Sequence, residues 1–80
     1  MMFTFEFTPE AMADLLAIRK YDQSLIVAAI ESQLAHQPTE PTRNRKRLRP
    51  NRLAEWELRI GDYLVFYLVI EESVVILRAS

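Results

Sequence analysis

The sequence contains no cysteine, which excludes disulfides and thiolate metal sites. Its one histidine, His36, leaves only scattered carboxylates for a metal, so no metal site is expected. Only one residue in 80 is glycine while half are hydrophobic, which argues against disorder and against a loop-rich secreted scaffold. No apolar run approaches the roughly 18 residues that a membrane span requires. The opening Met1-Met2-Phe3-Thr4-Phe5-Glu6-Phe7 alternates apolar and polar residues instead of forming a signal core. The expectation is a cytoplasmic protein that avoids membranes, with residues 1–80 forming a single domain.

What the sequence does have is charge segregation. The net charge is only −1, yet Arg43, Arg45, Lys46, Arg47, Arg49 and Arg52 fall in residues 43–52 with no acid among them. The remainder holds four bases against eleven acids, a net of −7. Such polarity creates a local field that the overall charge conceals. Six close cations suit phosphate or an acidic protein segment. The bland alternative is a solvated loop.

Hydrophobic spacing sets out the elements. Phe3, Phe5 and Phe7 alternate with Thr4 and Glu6 as in a half-buried strand. Thr8-Pro9-Glu10 reads as a helix start, with Thr8 capping, Pro9 in the first turn and Glu10 complementing the dipole. Met12, Leu15 and Leu16 are expected to share the buried face of that helix. Tyr21-Asp22 marks a break, with Asp22 as cap of a second helix whose stripe is Ile26, Ala29, Ile30 and Leu34, widened by Leu25 and Val27. Two helices so closely joined predict an antiparallel hairpin. Pro38 and Pro41 end the helical region, and residues 36–42 read as an exposed connector.

After the basic stretch, Pro50-Asn51 signals a turn, and three strands follow: 53–60, 63–70 and 74–78. The predicted class is α+β, in the order β-α-α-β-β-β, with a helical hairpin packed on one face of a mainly antiparallel sheet. Two-residue loops at Gly61-Asp62 and Glu71-Glu72 pair Trp56 with Tyr67, Leu58 with Val65, Ile60 with Tyr63, Tyr67 with Ile76 and Val69 with Val74. These residues form an apolar face for the helices. Trp56, Tyr63 and Tyr67 are accordingly read as structural. The opposite face holds Glu55, Glu57 and Arg59 at one margin and Leu64, Phe66, Leu68, Ile70, Val75 and Leu77 beyond it. Such a patch implies a second protein surface. Either a homodimer interface or curled strand covers it, or Leu64, Phe66, Leu68, Val75 and Leu77 line a groove for a partner peptide.

Asn44-Arg45-Lys46-Arg47-Leu48, then Trp56-Glu57-Leu58-Arg59-Ile60-Gly61-Asp62-Tyr63 and Val65-Phe66-Tyr67, resemble the core of RelE/ParE-type toxins. The start, Phe3-Thr4-Phe5 to Thr8-Pro9-Glu10-Ala11, is similar to that family's N-terminus. The resemblance implies the toxin of a bacterial type II toxin–antitoxin system, bound by a cognate antitoxin and inhibiting growth, with no cofactor. RelE-like members bind the ribosome and cleave mRNA; ParE-like members poison DNA gyrase without nuclease chemistry. Translation is the expected target, and a non-nucleolytic or silent partner-binding homologue is the alternative.

The nuclease branch relies on cations of the outer sheet face to activate the ribose hydroxyl and stabilise the phosphate. The corresponding positions fall near Glu55, Glu57 and Leu64, where carboxylates reverse the sign of the interaction. The sequence ends at Ser80, ahead of the stretch that often adds basic and tyrosine residues in the family. Arg59, with Arg78 at the sheet end, is what remains as a catalytic candidate, and Arg59 is also readable as an ion-pair partner of Glu57 or Glu55. His36 sits at a helix end with no catalytic partner in sequence reach. Reversing Arg45 and Arg47 to Glu is expected to abolish binding without unfolding the domain.

Overall fold

A computed structural model describes residues 2–80 of the chain. Strand β1 (Thr4–Phe7) leads to helices α1 (Pro9–Leu16) and α2 (Lys20–Leu34), then to strands β2 (Arg45–Arg47), β3 (Trp56–Ile60), β4 (Tyr63–Ile70) and β5 (Ser73–Ala79). One five-stranded sheet has the order β1-β5-β4-β3-β2. All its pairings are antiparallel except β1 with β5, which is parallel. The expected α+β class holds, with one strand more than the sequence pattern revealed. That strand, β2, lies inside the basic stretch and forms the sheet edge.

The expected register is present. Ile60 pairs with Tyr63, Leu58 with Val65, Trp56 with Tyr67, Tyr67 with Ile76 and Val69 with Val74. Gly61 turns the first hairpin at φ +58°, where a side chain would be strained. Between Phe66 and Tyr67 the register shifts, so Phe66 faces Arg78 and Val65 faces Ala79. This bulge gives β5 an extra residue, Leu77, and brings Ala79 back to the buried side.

Under the helices lies the expected apolar face. Trp56, Leu58, Val65, Tyr67, Val74 and Ile76 are buried against Ile26, Ile30 and Leu34 of α2 and Ala11 and Leu15 of α1. Phe3, Phe5, Phe7, Ile60, Tyr63 and Val69 pack around them. The Trp56 and Tyr67 rings stack with centroids 6.3 Å apart and planes at 18°. A large aliphatic or aromatic side chain contributes roughly 1.5–3 kcal/mol when buried, so this cluster dominates the stability of a small domain.

The helices depart from expectation in three places. In α1 the buried row is Ala11 and Leu15, one turn apart, while Met12 and Leu16 face solvent. An eight-residue helix seats only one narrow row on the sheet, and Met12–Leu16 lies about 100° around from it. Thr8 caps α1 as expected: its hydroxyl oxygen accepts from the Ala11 amide at 3.1 Å, and its hydroxyl donates to the Leu77 carbonyl at 2.9 Å. Helix α2 begins earlier than expected, at Lys20, with Arg19 in the cap position and Asp22 inside the first turn. Asp22 therefore serves the dipole and an ion pair and is not the cap. In its stripe Ala29 and Val27 are half-buried and Leu25 is exposed. The connector 36–42 is not uniformly exposed either, because Pro38 is buried in the core.

Candidate functional site

The basic stretch forms an edge strand and a loop, and the fold uses its cations unequally. Arg45 is half-buried, and its guanidinium donates to the Gln37 carbonyl. Its amide donates to Thr42 Oγ1 at 3.1 Å and its carbonyl accepts from the Thr42 amide at 3.0 Å. Arg47 lies over the Trp56 ring, 5.7 Å from the centroid, in cation–π contact. Arg45 is thus tied to the connector and Arg47, though exposed, rests on Trp56, so reversing both bears on these contacts as well as on binding. Arg43, Lys46, Arg49 and Arg52 are exposed, and among the described residues none of them forms an ion pair.

Asn51 organises the loop that follows. Its Nδ2 donates to the Arg49 and Ala54 carbonyls at 2.6 and 3.1 Å, and its Oδ1 accepts from the Leu53 and Ala54 amides at 2.7 and 3.0 Å. With Pro50 restricting the backbone, this network holds Arg49 and Arg52 on an ordered turn. A hollow of about 440 Å³ opens there, lined by Arg47, Arg49, Pro50, Asn51 and Glu55. The sequence showed the charge and a turn at Pro50-Asn51, but Asn51 as the organiser of the loop was missed.

On the outer sheet face the edge strand contributes Lys46, which pairs across strands with Glu57. Glu55 and Arg59 are exposed, and Glu57 is half-buried. Among the described residues the ion pairs are Arg19 with Asp22 and Arg78 with Asp14, so Arg59 does not pair with Glu57 or Glu55 as anticipated. The other catalytic candidate, Arg78, is committed elsewhere. Its Nε and Nη2 donate to the Asp14 carboxylate at 2.8 and 3.1 Å, and the Ala79 amide donates to the same group at 3.0 Å. Although this strand end stays paired with β4, the Arg78 guanidinium is tied to α1 through Asp14. The two candidates therefore do not form a pair of catalytic cations. Leu64, Phe66, Leu68, Val75 and Leu77 are all half-buried, with Ile70 58% exposed beside them.

The hydroxyl of Tyr63 donates to Asp22 Oδ2 at 2.6 Å, and Arg19 Nε donates to the same oxygen at 2.9 Å. Tyr63's bond, then that of Arg19, holds the Asp22 carboxyl below its ordinary range, and the carboxylate in turn raises the Tyr63 phenol. Asp14 is lowered likewise, first by the Arg78 hydrogen bond. Burial raises the Tyr67 phenol, whose hydroxyl donates to the Pro38 carbonyl at 2.6 Å. None of these groups lies on the outer sheet face beside Arg59, and each is explained by a contact that joins two elements. Among the described residues no three His, Cys, Asp or Glu side chains converge as metal ligands, and no helix is long and apolar enough to cross a membrane.

No curated protein matches the chain by sequence. A solved structure that resembles it is the toxin–antitoxin complex RelBE2 from Mycobacterium tuberculosis, at 26% identity and a TM-score of 0.81, covering 100% of this chain and 98% of that one. The family model for the ParE toxin of the parDE type II toxin–antitoxin system matches residues 5–79. With that family model matching nearly the whole chain, the chain belongs to the ParE toxin family of type II toxin–antitoxin systems.

Proposed function

We propose that this toxin, held in check by its antitoxin, arrests growth in the cytoplasm by gripping an anionic, nucleic-acid-bearing target through its basic edge, without cutting RNA. The observation that carries this reading is the distribution of cations. Four exposed cations that are not held by another side chain, Arg43, Lys46, Arg49 and Arg52, line one edge and an ordered loop, while the face that nuclease chemistry would need offers Arg59 and, at its margin, Lys46 beside Glu57. With the Glu57 carboxylate between them, Arg59 and Lys46 are poorly suited to activate a hydroxyl and stabilise a pentavalent phosphate. Four free cations can release about four counterions, so affinity should fall with salt at a log–log slope of roughly 3–4. An acidic antitoxin segment that covers the same edge would silence the toxin by competition.

The family membership favours the DNA gyrase complex as target. The likeness to a RelE-named toxin supports the ribosome as a second reading. Induced expression without a partner separates the possibilities. Growth arrest with altered DNA supercoiling and intact mRNA is the expected result, and Lys46→Glu with Arg49→Glu should relieve it at unchanged Tm. New mRNA cuts on translating ribosomes would refute the binding-only mechanism. Unaffected growth would refute the toxin activity itself and leave a silent antitoxin-binding homologue.

A further inference from the structure

Granted that the basic edge is the surface that meets the target, we propose that the loop joining β2 to β3 seats an unpaired nucleotide, so that the edge takes a single strand in preference to a duplex. Two adjoining hollows, of about 440 and 580 Å³, share Arg47, Leu48, Arg49, Pro50 and Asn51 as lining. The smaller adds Ala54 and Glu55, and the larger adds Lys46. Both volumes fall in the range of small-molecule sites, and a lone phosphate would leave most of either empty.

The lining combines two chemistries. Lys46, Arg47 and Arg49 against Glu55 make three cations less one acid, a net of +2. Leu48 and Pro50 in both hollows, with Ala54 in the smaller, supply apolar surface between those charges. An inorganic anion matches the charge and leaves the apolar surface uncovered. A nucleotide matches both, with its phosphate on the cations and the face of its base on the apolar groups; guanidinium planes also stack on bases. A duplex turns its base faces inward and offers phosphates alone. Carboxylates of an acidic peptide meet the cations but carry no flat apolar face. The unpaired strand is the occupant that fits.

The seat is held in shape by the chain itself. The Leu48 amide donates to the Glu55 carbonyl at 2.9 Å, which ties the two sides of the loop together. Asn51 Nδ2 donates to the Arg49 and Ala54 carbonyls, and its Oδ1 accepts from the Leu53 and Ala54 amides. This side-chain amide, whose neighbouring donor and acceptor could read a base edge, is therefore committed to the loop. Recognition falls to stacking, apolar contact and charge, which tolerate any base.

The test is fluorescence anisotropy with the purified full chain and labelled probes of about twelve units: oligothymidylate, oligouridylate, an abasic strand, a duplex and oligoglutamate. Oligothymidylate should bind at least about fivefold tighter than the abasic strand, which keeps the phosphates and lacks the bases, and than the duplex, despite its second backbone. That ratio should persist as salt rises and every affinity falls, because stacking releases no counterions. Pro50→Ala and Leu48→Ser, each checked for wild-type circular dichroism, should narrow the ratio and leave affinity for the abasic strand unchanged. Tighter binding of oligouridylate or of oligothymidylate assigns the strand to RNA or to DNA, and either supports a single-stranded guest. An abasic strand or duplex that binds as tightly as oligothymidylate would overturn the nucleotide seat and leave the phosphate-gripping edge standing. So would a ratio that neither variant moves. Oligoglutamate binding as tightly would overturn the seat by passing the loop to an acidic protein segment. No binding to any nucleic-acid probe would overturn the edge and its seat together.

Discussion

Replacing Tyr67 by Phe removes one oxygen from the centre of the molecule and tests how the core holds the basic edge. The Tyr67 hydroxyl is fully buried and donates to the carbonyl of Pro38, which is itself buried. Next to Pro38, Gln37 presents the carbonyl that receives the Arg45 guanidinium. A chain of contacts therefore runs from the sheet through the connector to the edge strand. Phe keeps the ring and its stacking on Trp56, so the loss is confined to the hydrogen bond and the orphaned carbonyl. A buried acceptor left unsatisfied costs about 1–2 kcal/mol. In a domain of this size each kcal/mol moves Tm by roughly 4–8 °C, so the expected fall is roughly 4–16 °C. Tyr63→Phe is the control, because its partner Asp22 keeps Arg19 and can regain water, and its effect should be smaller. Thermal unfolding followed by circular dichroism measures both. Amide exchange should also accelerate at Arg45, whose amide bonds to Thr42 in the same connector. A fall below about 2 °C, or equal falls for the two variants, would refute the argument that the carbonyl depends on Tyr67.

Four further outcomes are expected. Ile30→Ala, at a site 1% exposed between helix and sheet, should cost about 2–5 kcal/mol in denaturant unfolding, close to the whole stability of a small domain. Gly61→Ala should destabilise by about 1 kcal/mol because its φ of +58° leaves an alanine Cβ strained, even with nothing near enough to clash. Glu71→Gly should instead stabilise by a few tenths of a kcal/mol, since Glu71 already sits at φ 55° and only part of the gain is lost to unfolded-state entropy. Asp14 has a folded pKa below its unfolded value, so its contribution is present above about pH 4 and is lost as pH falls through the folded pKa. Asp14→Asn should therefore lower Tm at pH 6 and flatten the acid limb of the Tm–pH profile; an unchanged profile would disprove the role of the Arg78–Ala79 clasp.

The registers of β3 and β4 were legible because β3 alternates cleanly and each loop is two residues long, although β4 is apolar on both faces and β3 begins at Trp56, not at residue 53, where Asn51 holds the Leu53 and Ala54 amides in a turn. The bulge was not, since Val74-Val75-Ile76-Leu77 is apolar throughout and gives no mark of an inserted residue. Strand β2 was invisible for a different reason. Arg45-Lys46-Arg47 has no apolar alternation, and it is extended because Leu58 and Glu57 offer it an edge to pair with, a fact of tertiary structure. The start of α2 was misplaced because Asp22 has the chemistry of a cap, while the fold engages that chemistry with Tyr63, forty-one residues away. The candidate site was legible as a charge count but not as a division of labour, because only coordinates separate Arg45 and Arg47, bound into the protein, from Arg43, Lys46, Arg49 and Arg52.

That division has a physical consequence for how the edge works. An edge strand exposes unpaired backbone groups, and charged side chains are a common protection against unwanted pairing. Here Thr42 occupies the outward amide and carbonyl of Arg45, so intruding strands are blocked at that end by hydrogen bonds as well as by like charge. A phosphate partner needs no free backbone and is drawn to the charge that repels a basic or neutral strand. The same four free cations thus select against aggregation and for an anionic target. Replacing Lys46 and Arg49 by Gln separates the two consequences from the sign reversal of Glu. Binding should weaken and the salt slope should fall by about 2, whereas aggregation of the purified chain near neutral pH should rise. If the slope falls without any rise in aggregation, Thr42 alone suffices to protect the edge, and the cations serve the target only.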